Sequence, residues 1–158
     1  MSEESTSQKI LEGYIRHLAD LINIPVIPHG TAVNGQDLFD HVRLISNVPY
    51  INVWGYEGRI EFVLEIGLFR RIPIECKYQN KDGSTDDKLV KTYMDLAQCF
   101  DEDEAIIICD GPKTDARKIN TLKKWAKRRE FQTKRKTIHI MTWNEFSAWL
   151  RELVRVAI

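Results

Sequence analysis

The stretch Arg59–Gln79, RIEFVLEIGLFRRIPIECKYQ, predicts the centre of the fold. Apolar and polar residues alternate on both sides of Gly67, as they do in strands whose successive side chains point to opposite faces of a sheet. A three-residue loop, Gly67–Phe69, places the apolar side chains of both arms on one face along the whole hairpin. A two-residue loop would mix the faces, because a slip by one residue turns every side chain over. We therefore expect a β-hairpin closed by Gly67–Phe69.

The same register predicts a cluster of charges on the polar face of the hairpin. Glu61 falls opposite Glu75, and Lys77 follows two residues along the same face. Side chains directly opposite each other in a sheet have Cβ atoms roughly 5 Å apart, so the two carboxylates repel unless a positive charge lies between them. A divalent cation resolves this conflict, and carboxylate oxygens with retained waters suit Mg²⁺. Gln79 continues this face and would help to hold the site.

The segment IPIECKYQ, with an acidic strand residue fourteen positions before Glu75, resembles the PD-(D/E)XK nuclease superfamily. The resemblance implies that Glu61 takes the place of the first acid, Glu75 the second and Lys77 the lysine. Many members add a Glu from the preceding helix, and Glu12 is the nearest match. The chain lacks the Pro-Asp pair of the family motif. For this reason two other acids stay open as the first acid, Glu57 and Glu65.

The resemblance also implies a function. We expect a Mg²⁺-dependent endonuclease, in which Mn²⁺ substitutes for Mg²⁺, that hydrolyses phosphodiester bonds of double-stranded DNA. Because cutting both strands requires two active sites, a homodimer is the expected assembly. The alternative is a catalytically inactive nuclease-fold module that binds nucleic acid or a protein partner, since fold alone does not establish activity.

Composition agrees with a single domain over residues 1–158. The chain is 43% apolar and 29% charged, which is ordinary for a globular protein. Three scattered cysteines form neither a disulfide framework nor a zinc motif. The polar N-terminus does not resemble a secretory signal, and no apolar run approaches the length of a membrane span. We expect a cytoplasmic protein.

A net charge of zero conceals a basic block over residues 113–136. Eleven Lys and Arg stand there against two acids, Asp115 and Glu130, which gives a local charge of +9. Such a block favours a polyanion such as nucleic acid. The alternative is a solvated helix face, in which Lys and Arg surround a buried apolar stripe. The residues that we expect to contact DNA are Lys113, Arg117, Lys123, Lys124, Lys127 and Arg128.

The other patterns complete an α/β fold. They predict helices over residues 6–23, 37–46, 84–99 and 143–156 and through the basic block, and strands over 48–54, 105–109 and 137–141. With the hairpin, this gives a restriction-endonuclease-like mixed β-sheet flanked by helices, in an αβββαβαβα-type order. Three aromatic residues precede the hairpin: Tyr50, Trp54 and Tyr56. Core packing is the expected use for them, and stacking on bases or sugars is the alternative.

Overall fold

A computed structural model describes residues 3–34, 42–80 and 86–157 of the chain. In these ranges six strands form one mixed sheet in the order β1-β2-β3-β4-β5-β6, with the β2–β3 and β3–β4 pairs antiparallel and the others parallel. The strands are β1 Val26–Pro28, β2 Val42–Ile51, β3 Glu57–Ile66, β4 Arg70–Tyr78, β5 Glu104–Asp110 and β6 Thr137–Met141. The helices are α1 Glu3–Leu21, α2 His29–Asn34, α3 Asp86–Gln98, α4 Ala116–Arg128 and α5 Trp143–Ala157.

Each face of the sheet is covered by a different pair of helices. On the α1–α5 face, Phe62 and Ile74 pack with Leu11 of α1 and Phe146 of α5. On the α3–α4 face, Ile107 packs with residues of α3 and α4. The strand β5 supplies both cores, because alternate residues of its apolar run point to opposite faces and all of them are buried. The expected mixed sheet flanked by helices is confirmed. No helix within the described ranges is both long and apolar enough to cross a membrane.

The predicted hairpin is confirmed in register between the loop and the pair of Phe62 with Ile74, and the predicted pair of Glu61 with Glu75 lies beyond this backbone pairing. Residues Ile66 and Arg70 form the first pair, Glu65 lies opposite Arg71, and Phe62 lies opposite Ile74. Gly67 adopts a φ of 60° in the three-residue loop. This left-handed conformation costs glycine little, which is why the loop begins there.

The chain before the hairpin differs from the prediction. A helix over 37–46 is wrong for residues 42–46, which belong to β2, while residues 37–41 lie outside the described part of the chain. The strand predicted over residues 48–54 is confirmed for 48–51 and wrong for 52–54, because β2 covers Val42–Ile51. Pro49 is tolerated inside β2 because, among the described residues, this strand has no second partner beyond Ser46, where β1 ends, and proline occurs on such open edges.

Two short elements were not predicted. Pro25, Pro28 and Gly30 indicated a loop, but residues 26–28 form β1 and residues 29–34 form α2. The strand has only three residues and pairs in parallel with β2. Such a short segment has no periodicity of its own and depends on its neighbour for its conformation.

The ends of β4 and β5 are joined by their main chains. The Gln79 N–H donates to the Asp110 carbonyl at 2.8 Å, and the Lys113 N–H donates to the Gln79 carbonyl at 3.1 Å. Gly111 lies between these bonds with a φ of 115°, and a Cβ atom there would lie 2.2 Å from the Gln79 oxygen. Only glycine fits this position without a shift of the backbone.

We predict that Gly111→Ala destabilises the fold by about 1–3 kcal/mol, because the left-handed φ and the contact with Gln79 both oppose a side chain. Urea unfolding measures the change. Gly13→Ala is the matched control: Gly13 is an exposed residue of α1 with nothing within 4 Å of an added Cβ, so alanine there stabilises the helix by up to about 1 kcal/mol. Equal unfolding midpoints for Gly111→Ala and the unaltered chain would contradict the close contact of the strand ends.

Candidate active site

The hairpin opens where Glu61 lies. Backbone pairing between β3 and β4 ends at Phe62 and Ile74. Two residues further along β4, the Cys76 N–H donates to Glu61 Oε2 at 3.2 Å. The Glu61 side chain thus takes the place of the main-chain carbonyl that accepts such a hydrogen bond in a regular ladder. The carboxylate of Glu61 therefore reaches the backbone of β4, and only 6% of the residue is exposed.

An irregularity in β2 accompanies this opening. The β2–β3 register skips the pair formed by Asn47 and Glu61, and Asn47 has a φ of 54°. Ile60 then packs on the α3–α4 face together with Val63, although regular alternation would place these two side chains on opposite faces. Ile60 and Cys76 therefore lie on different faces of the sheet, since Cys76 belongs to the α1–α5 face. The pattern of apolar residues does not reveal this local break in alternation, because the residues on both sides of it are still apolar.

Glu75 and Lys77 form an ion pair on β4. Lys77 Nζ lies 2.8 Å from Glu75 Oε1, and the two side chains are 21% and 13% exposed. Both point to the α3–α4 face, because their neighbours on β5, Ile107 and Cys109, belong to the core on that face. Burial by itself lowers the pKa of Lys77, but the carboxylates of Glu75 and Glu61 outweigh it and raise the pKa above its usual value. Lys77 therefore carries a positive charge at neutral pH.

Glu12 approaches the same place from α1, on the other side of the sheet. Burial raises the pKa of Glu12, and Glu75 raises it further, whereas Arg16 and Lys9 lower it. The buried thiol of Cys76 lies among these acids: burial raises its pKa, and Glu61, Glu75 and Glu12 add to the effect. The structure thus brings three of the predicted site residues, all carboxylates, within electrostatic range of one another.

Gln79 stands apart from this group. It follows the last residue of β4, and its N–H and carbonyl join the ends of β4 and β5. These main-chain bonds give it a structural role at the end of the site. Its side-chain role as an assisting residue stays a prediction.

The two competing acids have other positions. Glu65 lies 14% exposed between Arg43, at 2.9 Å, and Arg71, at 3.3 Å, near the hairpin loop. Glu57 is 66% exposed and lies 3.6 Å from Arg59. Glu61 is therefore the acid of β3 that this geometry places beside Cys76 and Lys77.

The six basic residues proposed for DNA contact are all exposed. They lie on α4 and in the segment before it, and Asp115 caps the helix by accepting a hydrogen bond from the Arg117 N–H at 2.8 Å. Because α4 follows β5, its first residues lie at the sheet end that holds Lys77, and the helix then runs away from it. Arg117 and Lys124 are near the centre of the outward face, opposite the buried Leu122.

A polar network behind Glu75 was missed by the sequence analysis. Asp95 of α3 is 3% exposed and accepts hydrogen bonds from the Tyr50 hydroxyl at 2.8 Å, the Val53 N–H at 3.0 Å and Lys91 Nζ at 2.6 Å. Together with Glu75, Tyr50 and Asp95 line a small cavity. The available signal was an aspartate within the apolar stripe of a helix, where a buried carboxylate requires partners.

The donor set fits a divalent cation held by few protein ligands. In the described ranges no three His, Cys, Asp or Glu side chains form a metal-binding group. Glu61 and Glu75 nevertheless provide two carboxylates beside a shared lysine, and Glu12 lies close enough to interact with Glu75. Mg²⁺ binds through one or two carboxylates with waters and substrate phosphates, so this set suits it.

A hairpin that carries two acids and a lysine, continued by an αβαβα segment, defines a class of metal-dependent nuclease folds. The family model described as PD-(D/E)XK nuclease superfamily domain matches residues 4–154, and the chain belongs to this superfamily. No similar protein was found among curated proteins, and no similar structure was found among solved structures.

We predict that Glu12→Gln raises the free energy of unfolding above that of the unaltered chain, and that it does so more at pH 7 than at pH 4. The folded pKa of Glu12 lies above its ordinary value of 4.5, so its ionised form destabilises the folded state. This penalty is complete above the folded pKa and disappears below the unfolded pKa. The advantage of Gln over Glu, measured by urea unfolding across this range, must therefore shrink as the pH falls.

Glu152→Gln is a control of opposite sign. A hydrogen bond from Arg155 holds the pKa of Glu152 below its ordinary value. Its ionised form therefore stabilises the folded state. The Gln variant lacks this contribution, so it becomes less stable than the unaltered chain as the pH rises. If both variants responded to pH in the same direction, the placement of Glu12 near Glu75 would be wrong.

Proposed function

We propose that the protein is a Mg²⁺-dependent endonuclease that hydrolyses phosphodiester bonds of double-stranded DNA, with Mn²⁺ able to replace Mg²⁺. The observation that carries the proposal is the convergence of Glu61, Glu75 and Lys77 where the hairpin opens. Membership of the nuclease superfamily supports the nuclease class.

In this proposal Glu61 and Glu75 hold the cation, and Glu12 contributes from the opposite side. A bound divalent cation would neutralise phosphate charge and lower the pKa of a coordinated water. Because Glu61 also accepts the Cys76 N–H, its carboxylate is fixed before substrate arrives. Such preorganisation reduces the reorganisation that the reaction requires.

Lys77 has the role of a cation in this reaction. Burial lowers the pKa of Lys77, but the carboxylates of Glu75 and Glu61 raise it further than that, which favours a protonated Nζ. In this proposal the protonated Nζ stabilises the negative charge that develops on the phosphoryl oxygens in the transition state. Glu75 orients Nζ through the 2.8 Å ion pair.

The exposed cations of α4 and the segment before it, Lys113 to Arg128, would contact DNA phosphates. Such contacts position a protein on DNA without reading its sequence. Cutting both strands requires two copies of the site, which a homodimer supplies.

We predict that Glu75→Ala and Lys77→Ala each lower the rate of plasmid cleavage in Mg²⁺ at least about a hundredfold, because each removes a charge from the reacting centre. The supercoiled substrate and its nicked and linear products are quantified on gels over time. Glu57→Ala is the matched control: it removes an exposed glutamate of the same strand as Glu61 and leaves the rate unchanged.

Unaltered cleavage by both Glu75→Ala and Lys77→Ala would reject the site. A decrease in Glu57→Ala that equals theirs would move the first acid from Glu61 to Glu57. If the unaltered chain binds DNA but cuts none in Mg²⁺ or Mn²⁺, the inactive nucleic-acid-binding module is correct.

A second prediction concerns α4. For duplex DNA, log affinity falls as log salt concentration rises. We expect this fall to become less steep in Arg117→Ala and in Lys124→Ala, by about 0.9 for every phosphate that the removed cation neutralises. Fluorescence anisotropy at several salt concentrations, without divalent cations, gives the slope. Arg151→Ala, an exposed arginine of α5, is the control. A slope that falls equally in Arg151→Ala would mean that binding follows net charge and not the surface of α4.

A further inference from the structure

Two aromatic side chains stand exposed at the end of the sheet that holds the site. Trp54 is 69% exposed and Tyr56 is 72% exposed. The expectation that these two pack in the core is therefore wrong, although Tyr50 does pack, with its ring 4.7 Å from that of Phe100. Large exposed aromatic groups in a short segment are uncommon on a soluble surface unless they meet a partner.

The turn that carries them is held by hydrogen bonds of its own backbone and of the Asn52 side chain. Asn52 Oδ1 accepts hydrogen bonds from the N–H groups of Trp54 and Tyr56 at 3.0 and 3.1 Å. The Asn52 N–H donates to the Tyr56 carbonyl at 2.8 Å, and the Gly55 N–H donates to the Asn52 carbonyl at 2.9 Å. None of these bonds uses an aromatic side chain, so the rings are presented to solvent by a frame that does not depend on them.

This aromatic turn, residues 52–56, is also tied to the wall of the candidate site. The Val53 N–H donates to Asp95 Oδ1 at 3.0 Å, and Asp95 Oδ2 accepts from the Tyr50 hydroxyl at 2.8 Å. Tyr50 and Asp95 line the small cavity that Glu75 also lines. The position of the turn is therefore fixed relative to the carboxylate of Glu75.

The distance suits a nucleic acid. The turn leads into Glu57, four residues before Glu61 in β3. At about 3.3 Å per residue these two glutamates are roughly 13 Å apart, so a nucleic-acid strand bound at Glu61 would reach the turn within a few nucleotides. The exposed cations of α4 provide the charge that a phosphate backbone requires, whereas a protein partner has no general need of them.

We propose that Trp54 and Tyr56 stack on unpaired or unstacked nucleobases a few nucleotides from the scissile phosphate. This inference rests on the proposed nuclease function and makes it more specific: the preferred substrate contains a single-stranded stretch, a bulge or a distorted base pair near the cut. Stacking tolerates any base sequence, because every base has a π face. The aromatic turn then selects DNA by structure, while the cations of α4 supply affinity.

The test measures binding in EDTA, where no cleavage occurs. The probes are a single-stranded DNA, the RNA of the same sequence, a fully paired duplex, and that duplex with one unpaired base. We expect Trp54→Ala and Tyr56→Ala each to weaken binding to the probes with unpaired bases roughly tenfold or more, with little change on the paired duplex. Trp54→Phe keeps a ring and retains most of the affinity.

Phe69→Ala is the matched control. Phe69 is 96% exposed in the hairpin loop, at the opposite end of the sheet, and its removal leaves affinity for every probe unchanged. If Trp54→Ala and Tyr56→Ala behave like Phe69→Ala while the unaltered chain binds or cuts DNA, the stacking proposal is overturned and the nuclease proposal stands. An equal decrease on paired and unpaired probes also overturns it, because stacking requires an accessible base face.

Two further outcomes would overturn it. In sedimentation velocity, dissociation of a dimer by Trp54→Ala without a change in nucleic-acid affinity would assign the turn to a contact between two copies of the chain. If the unaltered chain binds no nucleic acid and cuts no plasmid, the proposed function and this inference fail together.

Discussion

The hydrogen bond from the Cys76 N–H to Glu61 Oε2 is the contact on which the candidate site depends. It lies just beyond the last backbone pair of the hairpin, one residue past Phe62 on β3 and two past Ile74 on β4, so β3 and β4 stay connected although their ladder has ended. A regular ladder would continue with main-chain bonds and would point the side chain of Glu61 away from the plane of the sheet. Because the ladder stops, the carboxylate turns towards β4, and Glu61 and Lys77 come close enough to interact electrostatically.

This arrangement carries a cost in stability. Glu61 is nearly fully buried, and a buried carboxylate loses hydration that its partners in the protein have to replace. Lys77 compensates part of this loss, and the shift in its pKa reflects the attraction of Glu75 and Glu61. The raised pKa of Glu12 shows that burial and the charge of Glu75 outweigh its attraction to Arg16 and Lys9. Titratable groups whose pKa values are shifted by burial and by specific charged neighbours are concentrated at functional sites.

The sequence was sufficient for the hairpin and its register from the loop to Phe62 and Ile74. Alternation in residues 59–79 determined the register because one face is buried, and an error of one residue would expose the whole apolar set. It did not predict the irregularity at Asn47 and Glu61, because a single residue in a left-handed conformation leaves the apolar pattern almost unchanged. The strand β2 was missed in part for a related reason: its conformation depends on pairing with β3, and tertiary contacts override local preference. Asp95 was missed because its partners, Tyr50 and Val53, are distant in sequence.

The two ends of the sheet use the same residue types for different purposes. Near the hairpin loop two glutamates meet arginine: Glu65 lies between Arg43 and Arg71, and Glu104 accepts two hydrogen bonds from Arg70. Planar guanidinium groups match carboxylates in these pairs and leave them neutralised. At the other end Glu61 and Glu75 share the electrostatic influence of Lys77, a compact cation that reaches one carboxylate oxygen of Glu75. Lys77 contacts a single oxygen of Glu75, whereas Arg70 engages both carboxylate oxygens of Glu104, and a point charge constrains a carboxylate less than a bidentate partner does.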